Sequence, residues 1–274
     1  MKNIAVLLTV FNRKEKTLHC LKNLFSQQLP EGVTIEVYVV NDGCTDGTPE
    51  AIRQQFPLVK IIEGNGQLYW NRGMHLAWQT ALQEGDYDFY LWLNDDTFVN
   101  SDTIAHLLEC SLEKGNEALV CGLLCSADDS NTTTYGSWMK GELISPNGEI
   151  QEADIINGNV VLIPKIICKS VGILDPVFPH AIGDFDYGHR VRKKGYKCYS
   201  TKKYVGTCEN NPKLPKWCYS STPVRERIKS LYSPLGYAHP KYFFIYEKRN
   251  FGLFTAVKHY ITIHLRVLLP QLWM

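Results

Sequence analysis

Short apolar runs separated by amphipathic stretches fill the first half of the chain. Ile4 to Thr9, Thr34 to Val40, Val59 to Ile62, Phe89 to Leu93 and Ala118 to Leu124 are rich in aliphatic, aromatic and β-branched residues. Such runs predict buried strands. Between them, Lys14 to Gln28, Pro49 to Phe56, Gly73 to Glu84 and Asp102 to Lys114 repeat their apolar residues at helical spacing. Thr48 followed by Pro49 reads as an N-cap with proline at the first helical position. Strand and helix in alternation predict βαβ units around a largely parallel sheet, an α/β fold of Rossmann-like type.

Beyond Leu124 the alternation weakens. Ser126 to Asp154 is rich in Ser, Thr, Asn, Asp and Gly, which predicts loops and a hairpin over one face of the sheet. Asn159 to Ile163 then reads as a strand, and Asp184 to Lys194 as a helix stopped by Gly195. From Arg225 to Met274 the character changes again, with eight Lys or Arg against two Glu, interleaved with Tyr, Phe, Leu and Trp. There is no internal repeat and no low-complexity tract.

Composition narrows the class. The 274 residues are 45% hydrophobic, enough for one large α/β domain with a short appendage. A formal charge of +1 leaves no global field to draw nucleic acid. The nine cysteines are odd in number and have no paired spacing, so they read as reduced, buried thiols of a cytosolic protein. The opening MKNIAVLLTVFNR has a charge and an apolar run, but the run is short and lacks a small-residue cleavage site, so a first strand explains it better.

In a sheet of this kind ligands bind at the carboxyl ends of parallel strands. Thr9 to Arg13 follows the first strand, and Asn41 to Thr48 follows the second, placing a carboxylate before a glycine-bearing turn. By itself that second segment is also an ordinary turn. After the fourth strand, Leu91-Trp92-Leu93-Asn94-Asp95-Asp96-Thr97 delivers two adjacent carboxylates to a strand end. Adjacent acids repel, and a hard divalent ion bridging to phosphate oxygens relieves that cost. A solvated turn capping the next helix is the plainer alternative.

Taken together, LLTVFNR, VVNDGCTDGTPEAI and LWLNDDTFV resemble, in order and spacing, the family 2 glycosyltransferases of the A-type nucleotide-sugar fold, over about residues 4 to 199. GNGQLYWNRGMHLAW and INGNVVLIP are similar to bacterial polysaccharide transferases of the rhamnosyltransferase-like kind. The resemblance implies a transfer of sugar from a nucleoside diphosphate carrier, of UDP or dTDP type, to a hydroxyl of a glycan or lipid-linked saccharide. It implies that Thr9, Asn12, Asn41 and Asp42 hold the nucleoside and that Arg72 approaches the diphosphate or the sugar. Asp95 would lie near the ribose or sugar, and Asp96 would ligate Mg²⁺ or Mn²⁺. Asn94 stands at the first acidic position of that motif. On this reading residues 1–222 form the catalytic domain, with 1–124 binding the donor and 125–222 supplying acceptor site and base, while 223–274 is a helical extension.

Attack by a hydroxyl needs a base. HAIGDFDYGHR resembles the family's acidic motif at a helix start, with Asp184 at the catalytic position and Gly183 where an acid is common. Residues two apart on a helix point about 200° from each other, so Asp184 and Asp186 do not share one site; one would catalyse and the other anchor. Asp184 also suits an N-cap. His180 and His189 are alternative bases. Relatives often add a histidine metal ligand downstream, whereas Val205 to Asn211 has none, leaving Glu209 or Cys208 as contributors. Tyr69, Trp70 and Trp138 offer faces for sugar stacking or simple packing, and Trp92 belongs to the core.

LFTAVKHYITIHLRVLLPQLW is interrupted by Lys258, His259, His264 and Arg266 and does not read as a spanning helix. It reads as an interfacial helix on an anionic inner-leaflet surface, or as a terminal helix packed on the domain or in a homodimer. Two other classes remain. A sugar nucleotidyltransferase would carry a glycine-rich phosphate loop, and TVFNRKEKT has no glycine; a non-catalytic glycan-binding subunit would lose the acids, and Asp95, Asp96 and Asp184 are present.

Overall fold

The computed structural model describes residues 1–210 and 213–273. The chain opens with β1 (Lys2–Val10), α1 (Lys14–Phe25), β2 (Val33–Asn41), α2 (Thr48–Gln55), β3 (Lys60–Glu63), α3 (Tyr69–Glu84) and β4 (Phe89–Leu93). Next come β5 (Phe98–Val99), α4 (Thr103–Glu113) and β6 (Ala118–Cys125). Short strands β7 (Thr133–Tyr135), β8 (Ser137–Met139), β9 (Glu142–Leu143), β10 (Glu152–Ala153) and β11 (Ile155–Ile156) lead to β12 (Val160–Pro164). The chain continues with α5 (Lys165–Val171), α6 (Gly183–Lys193), β13 (Lys197–Thr207), α7 (Val224–Leu231), α8 (Pro240–Phe251) and α9 (Leu253–Leu268).

The main sheet runs in the order β10-β13-β6-β12-β4-β1-β2-β3, with β5 beside β13 and β7 beside β6. The β3-β2-β1-β4 half is parallel throughout, and β13 is parallel to β6. Between the two parallel groups lies β12, antiparallel to both β4 and β6. The central strands are apolar on both faces because helices cover both. Along β1, Ile4, Val6, Leu8 and Val10 enter one core with α1 and α4. Ala5 and Leu7 point the other way, into a core with α3, α5 and α6. β4 splits likewise, sending Phe89, Leu91 and Leu93 to the first core and Tyr90 and Trp92 to the second. A mostly parallel sheet between helical layers is thus the fold expected from the pattern.

Several local expectations are corrected. α3 starts at Tyr69, one turn ahead of Gly73, because the backbone N–H groups of Leu68 and Tyr69 are fixed by the Asp42 carboxylate. At α2, Thr48 lies inside the helix and Gly47 is the cap, with Asp46 Oδ1 taking the Thr48 N–H and hydroxyl. The polar stretch 126–154 holds a small three-stranded sheet, β11-β8-β9, as well as loops. β13 has no counterpart in the apolar pattern. Its KCYSTKKYVGT sequence mixes Lys and Ser into the run and is irregular where it pairs with β6, between Ser200 and Gly206.

The C-terminal helices pack on the domain through two apolar patches and one polar hub. Ile263 and Val267 of α9 meet Trp217 and Leu231, while Tyr246 of α8 meets Phe178 and Ile182 ahead of α6. Asp186, fully buried, accepts from Arg190 Nε at 3.0 Å, Arg249 Nη1 at 2.9 Å and Asn250 Nδ2 at 3.3 Å. Asp186 is therefore an anchor joining α6 to α8. All nine cysteines are free thiols, seven of them buried. Among the described residues no helix is long and apolar enough to cross a membrane.

Candidate active site

A cleft of about 390 Å³ opens at the sheet edge where β1, β2, β4 and β6 end. It lies where strand order reverses, between β1 and β4. Because β12 runs antiparallel, its beginning meets the end of β4: Val160 pairs with Leu93, and the Asn94 N–H donates to the Asn159 carbonyl at 2.9 Å. Asn157, Gly158 and Asn159 therefore join the cleft from a strand that points away from it. Reading only the residues after each strand misses them.

Four carboxylates line the cleft: Asp42, Asp95, Asp96 and Asp184. Asp95 is 6% exposed, and burial pushes its acid up to about 6 against the pull of Arg13. Arg13 Nη1 donates to Asp96 Oδ2 at 2.6 Å and Asp95 Oδ1 at 3.3 Å, while Thr17 Oγ1 donates to Asp95 Oδ2 at 3.2 Å. Asp184 is not an N-cap. Ile182 occupies that position with φ of 73°, and Asp184 lies in the first turn of α6, near the positive end of the helix dipole. Its Oδ2 accepts from Gly158 N at 2.9 Å and its Oδ1 from Phe185 N at 2.9 Å. Burial outweighs these bonds and raises its acid to about 6. As helix geometry requires, Asp184 faces the cleft and Asp186 faces Arg190 and Arg249.

Glycines account for one departure from the acidic motif and for one close approach beside it. A Cβ on Gly183 would collide with the buried Asn71, whose Nδ2 donates to the Asp175 and Phe178 carbonyls at 2.8 and 2.7 Å. An acid there would break the joint between α3 and the loop entering α6. A Cβ on Gly158 would lie 2.5 Å from the Trp70 ring, so this glycine lets the ring close over the strand start.

Thr9, Asp42, Asp95, Asp96 and Asp184 are thus brought together, and Asn12, Asn41 and Arg72 stand outside the cleft lining. Asn12 Oδ1 accepts from Thr45 N at 2.7 Å, tying the loop after β1 to the loop after β2. Asn41 bridges Cys44 N and Glu63, and Arg72 Nε donates to the Pro176 carbonyl. Asp42 itself accepts from Gly66, Leu68 and Tyr69 N–H groups, so its carboxylate organises the entry to α3.

Of the aromatic candidates, Tyr69 and Trp70 line the cleft and Trp138 packs on Phe185. Trp92 is fully buried. His180 lines the cleft with Nδ1 accepting from Trp70 N at 3.3 Å, and burial lowers its pKa to about 4. His189 packs on Tyr246, its Nε2 3.0 Å from the phenol. Leu235 and Tyr237, from the loop between α7 and α8, close one side; no sequence signal separates them from other tail residues.

For a divalent ion the donor set is hard and open. Among the described residues no group of three or more His, Cys, Asp or Glu could hold a metal. Glu209 is turned to Ser126 and Ala127 N, and burial holds the Cys208 thiol protonated, its pKa pushed up to about 12. Asn211 lies outside the described residues. Two adjacent carboxylates with the rest of the sphere left to phosphate and water is a set that suits Mg²⁺ or Mn²⁺.

The sequence profile of the family described as glycosyl transferase family 2 matches residues 5–166. The chain belongs to glycosyltransferase family 2. Within the family, it is 28% identical over 113 residues to the poly-β-1,6-N-acetyl-D-glucosamine synthase of Staphylococcus aureus, a match covering 40% of this chain and 25% of that one. The match thus spans about a quarter of that relative's length. The A-type glycosyltransferase fold is shared with solved structures. A mannosyltransferase from Pyrobaculum calidifontis in complex with GDP-Man and Mn²⁺ superposes with a TM-score of 0.57 at 18% identity, over 93% of this chain and 73% of that one. S. aureus TarS in complex with UDP-GlcNAc gives 0.57 at 12% identity, over 96% and 81%.

In this family 2 chain Asn94, at the position where the resemblance implies an acid, has work that only an amide can do. Trp70 Nε1 can only donate, and it donates to Asn94 Oδ1 at 2.6 Å, which leaves Asn94 Nδ2 to donate to Asn159 Oδ1 at 3.1 Å. A carboxylate cannot make the second bond and would stand beside Asp95. Asn94→Asp should therefore lower stability by about 1–3 kcal/mol, the cost of a buried polar group left without its partner. Urea unfolding checks this, and an unchanged midpoint would show that the Asn94 amide is dispensable.

Proposed function

We propose that this chain is a metal-dependent, inverting glycosyltransferase that moves a sugar from a UDP or dTDP carrier to a hydroxyl of a glycan or lipid-linked saccharide, in assembly of a bacterial surface polysaccharide. One observation carries the reading: a single helix-borne carboxylate, Asp184, is raised to about 6 and lines the same cleft as the strand-end pair Asp95 and Asp96. The polysaccharide synthase relative and the nucleotide-sugar complexes of the fold neighbours support it.

The division of labour follows from position. Thr9, Asp42 and Asp95 face the nucleoside and ribose, while Asn12, Asn41 and Arg72 act by holding the surrounding loops. Asp96, with Asp95 beside it, would hold Mg²⁺ or Mn²⁺, which when bound would offset charge on the departing nucleoside diphosphate. Asp184 is ionised at neutral pH yet more basic than an ordinary carboxylate, so it can take the acceptor hydroxyl's proton as attack proceeds. His180, neutral with a pKa near 4, is a poorer base. With one base and no enzyme nucleophile, a single displacement inverts the anomeric carbon.

The tail supplies a place for the acceptor. On α9, Phe254, Val257, Ile261, Leu265 and Leu268 recur at helical spacing and are all exposed, Phe254 at 83%. The opposite side, Ala256, Ile263 and Val267, is buried. Lys258 is exposed on the same helix and Lys241 and Lys248 are exposed on α8, while the sole acid of α8 and α9, Glu247, is buried against His259 Nδ1 at 2.5 Å. Two copies meeting through this pair of helices would bring like charges together, whereas an anionic bilayer matches both the apolar strip and the net basic charge of α8 and α9. The enzyme would then work as a peripheral protein on a cytoplasmic membrane face, where lipid-linked acceptors lie.

Replacing Phe254 and Ile261 together by Glu should cut sedimentation with phosphatidylglycerol vesicles about tenfold or more, since each exposed apolar side chain contributes about 1.5–3 kcal/mol on burial. UDP binding should be unchanged. Point changes are the cleaner test, because deleting 251–274 would also strip Ile263 and Val267 from Trp217. Equal sedimentation would refute bilayer docking, and a wild-type dimer that the substitutions dissociate would assign the face to a second copy.

Asp184→Asn should keep donor affinity but cut transfer by about a hundredfold to ten-thousandfold, the effect of losing a positioned base. Asparagine keeps the shape but gives up one of the two backbone bonds, so a small fall in melting temperature is expected. In the wild type, transfer should fall as pH drops through about 6, because a protonated Asp184 cannot accept the proton. Asp186→Asn, facing away, should disturb stability more than transfer. Wild-type rates in Asp184→Asn would remove it from the chemistry.

A further inference from the structure

The Asp95 and Asp96 carboxylates already hold a cation, and it belongs to the chain. One nitrogen of Arg13, Nη1, touches both, at 3.3 and 2.6 Å. The two sides of this contact differ in freedom. Asp95 and Asp96 sit at the end of β4 with side chains 8% and 25% exposed, and Asp95 is further fixed by Thr17. The Arg13 side chain is 49% exposed and reaches in from the residue just before α1. It can leave by side-chain rotation with no change in the backbone, and the carboxylates cannot.

Two adjacent carboxylates, one buried and one half-buried, are costly without a counter-ion, so a charge standing over them stabilises the empty cleft. The same charge opposes a second cation, since two positive groups cannot share the same oxygens without repulsion. A nucleoside diphosphate changes that balance. Its oxygens add ligands for a divalent ion, and they offer the guanidinium a planar bidentate partner in place of the carboxylates.

We propose that Arg13 is a tethered counter-ion that couples metal binding to donor binding. It holds the acidic pair while the cleft is empty and moves to the diphosphate when the donor arrives, leaving Asp96 and Asp95 to the ion. This rests on the reading of Asp96 as a metal ligand.

Manganese binding to the full chain, followed by the electron paramagnetic resonance of free Mn²⁺, tests it with and without whichever of UDP, dTDP and GDP the chain binds. Wild type should bind Mn²⁺ weakly alone and more tightly with the nucleotide. Arg13→Gln should bind Mn²⁺ alone about tenfold more tightly than wild type, within the usual range for coupled sites, and gain less from the nucleotide. Arg13→Lys, which keeps a charge, should restore the wild-type dependence. If wild type binds Mn²⁺ with nucleotide but Arg13→Gln binds Mn²⁺ alone no more tightly than wild type does, the metal seat stands and Arg13 is not its gate. If wild type takes up no Mn²⁺ even with nucleotide, the metal reading falls and the coupling with it. Thermal melts of all three proteins exclude loss of fold, which the half-exposed position of Arg13 does not threaten.

Discussion

Gathering carboxylates at one buried edge of a sheet is the constraint on which the rest of this structure turns. Charge removed from water must be balanced by hydrogen bonds or by an opposite charge, or it neutralises by taking up protons. Each acid here meets that demand differently. Asp42 is spent on three backbone N–H groups, Asp186 on two guanidinium groups and an amide, and Asp95 and Asp96 on Arg13 and Thr17. Burial raises the proton affinity of both Asp95 and Asp184, but Asp95 has Arg13 and Thr17 against it, whereas Asp184 has two backbone N–H groups and, among the described residues, no cation in hydrogen-bond contact. A carboxylate that is positioned but undercompensated in this way is what the proposed base role of Asp184 requires.

The fold supplies that positioning through one reversed strand. Because β12 runs against β4 and β6, the segment 157–159 arrives at the edge where the parallel strands end. From there Gly158 reaches Asp184, and Asn159 reaches Asn94 and, through Nδ2, Cys208 at 3.3 Å. Trp70 closes the circuit by donating to Asn94, so α3, β4, β12 and α6 are linked by direct hydrogen bonds around the cleft. Asn12, Tyr69 and Ile182, at or beside the cleft, hold positive φ, a conformation costing about 1–3 kcal/mol apiece that such a linked frame can sustain.

Much of this could be read from sequence, for physical reasons that also mark the limits. Strands buried on both faces announce themselves as unbroken apolar runs, and the run that ends at Leu93 pointed at Asp95 and Asp96. Helical periodicity showed that Asp184 and Asp186 face different ways, while only the family resemblance said which of them faces the cleft. Strand direction is not written in composition, so Gly158 and Asn159 were invisible as cleft residues. β13 escaped because its Lys and Ser residues interrupt the apolar pattern where the strand is irregular. Asn12, Asn41 and Arg72 fall where the motif puts them, yet in this chain their hydrogen bonds go to neighbouring loops and to Glu63 at the end of β3, which no spacing rule reveals. Leu235 and Tyr237 come to the cleft by tertiary packing of the tail.

The central claim is that one base, Asp184, drives a single displacement, and the configuration of the product tests it most directly. Transfer from an α-linked nucleoside diphosphate sugar, followed by proton NMR of the new linkage, reports the coupling constant at the anomeric carbon. The account predicts a β-linked product. An α-linked product would mean retention, and with it a second catalytic group on the other face of the sugar that this account does not contain.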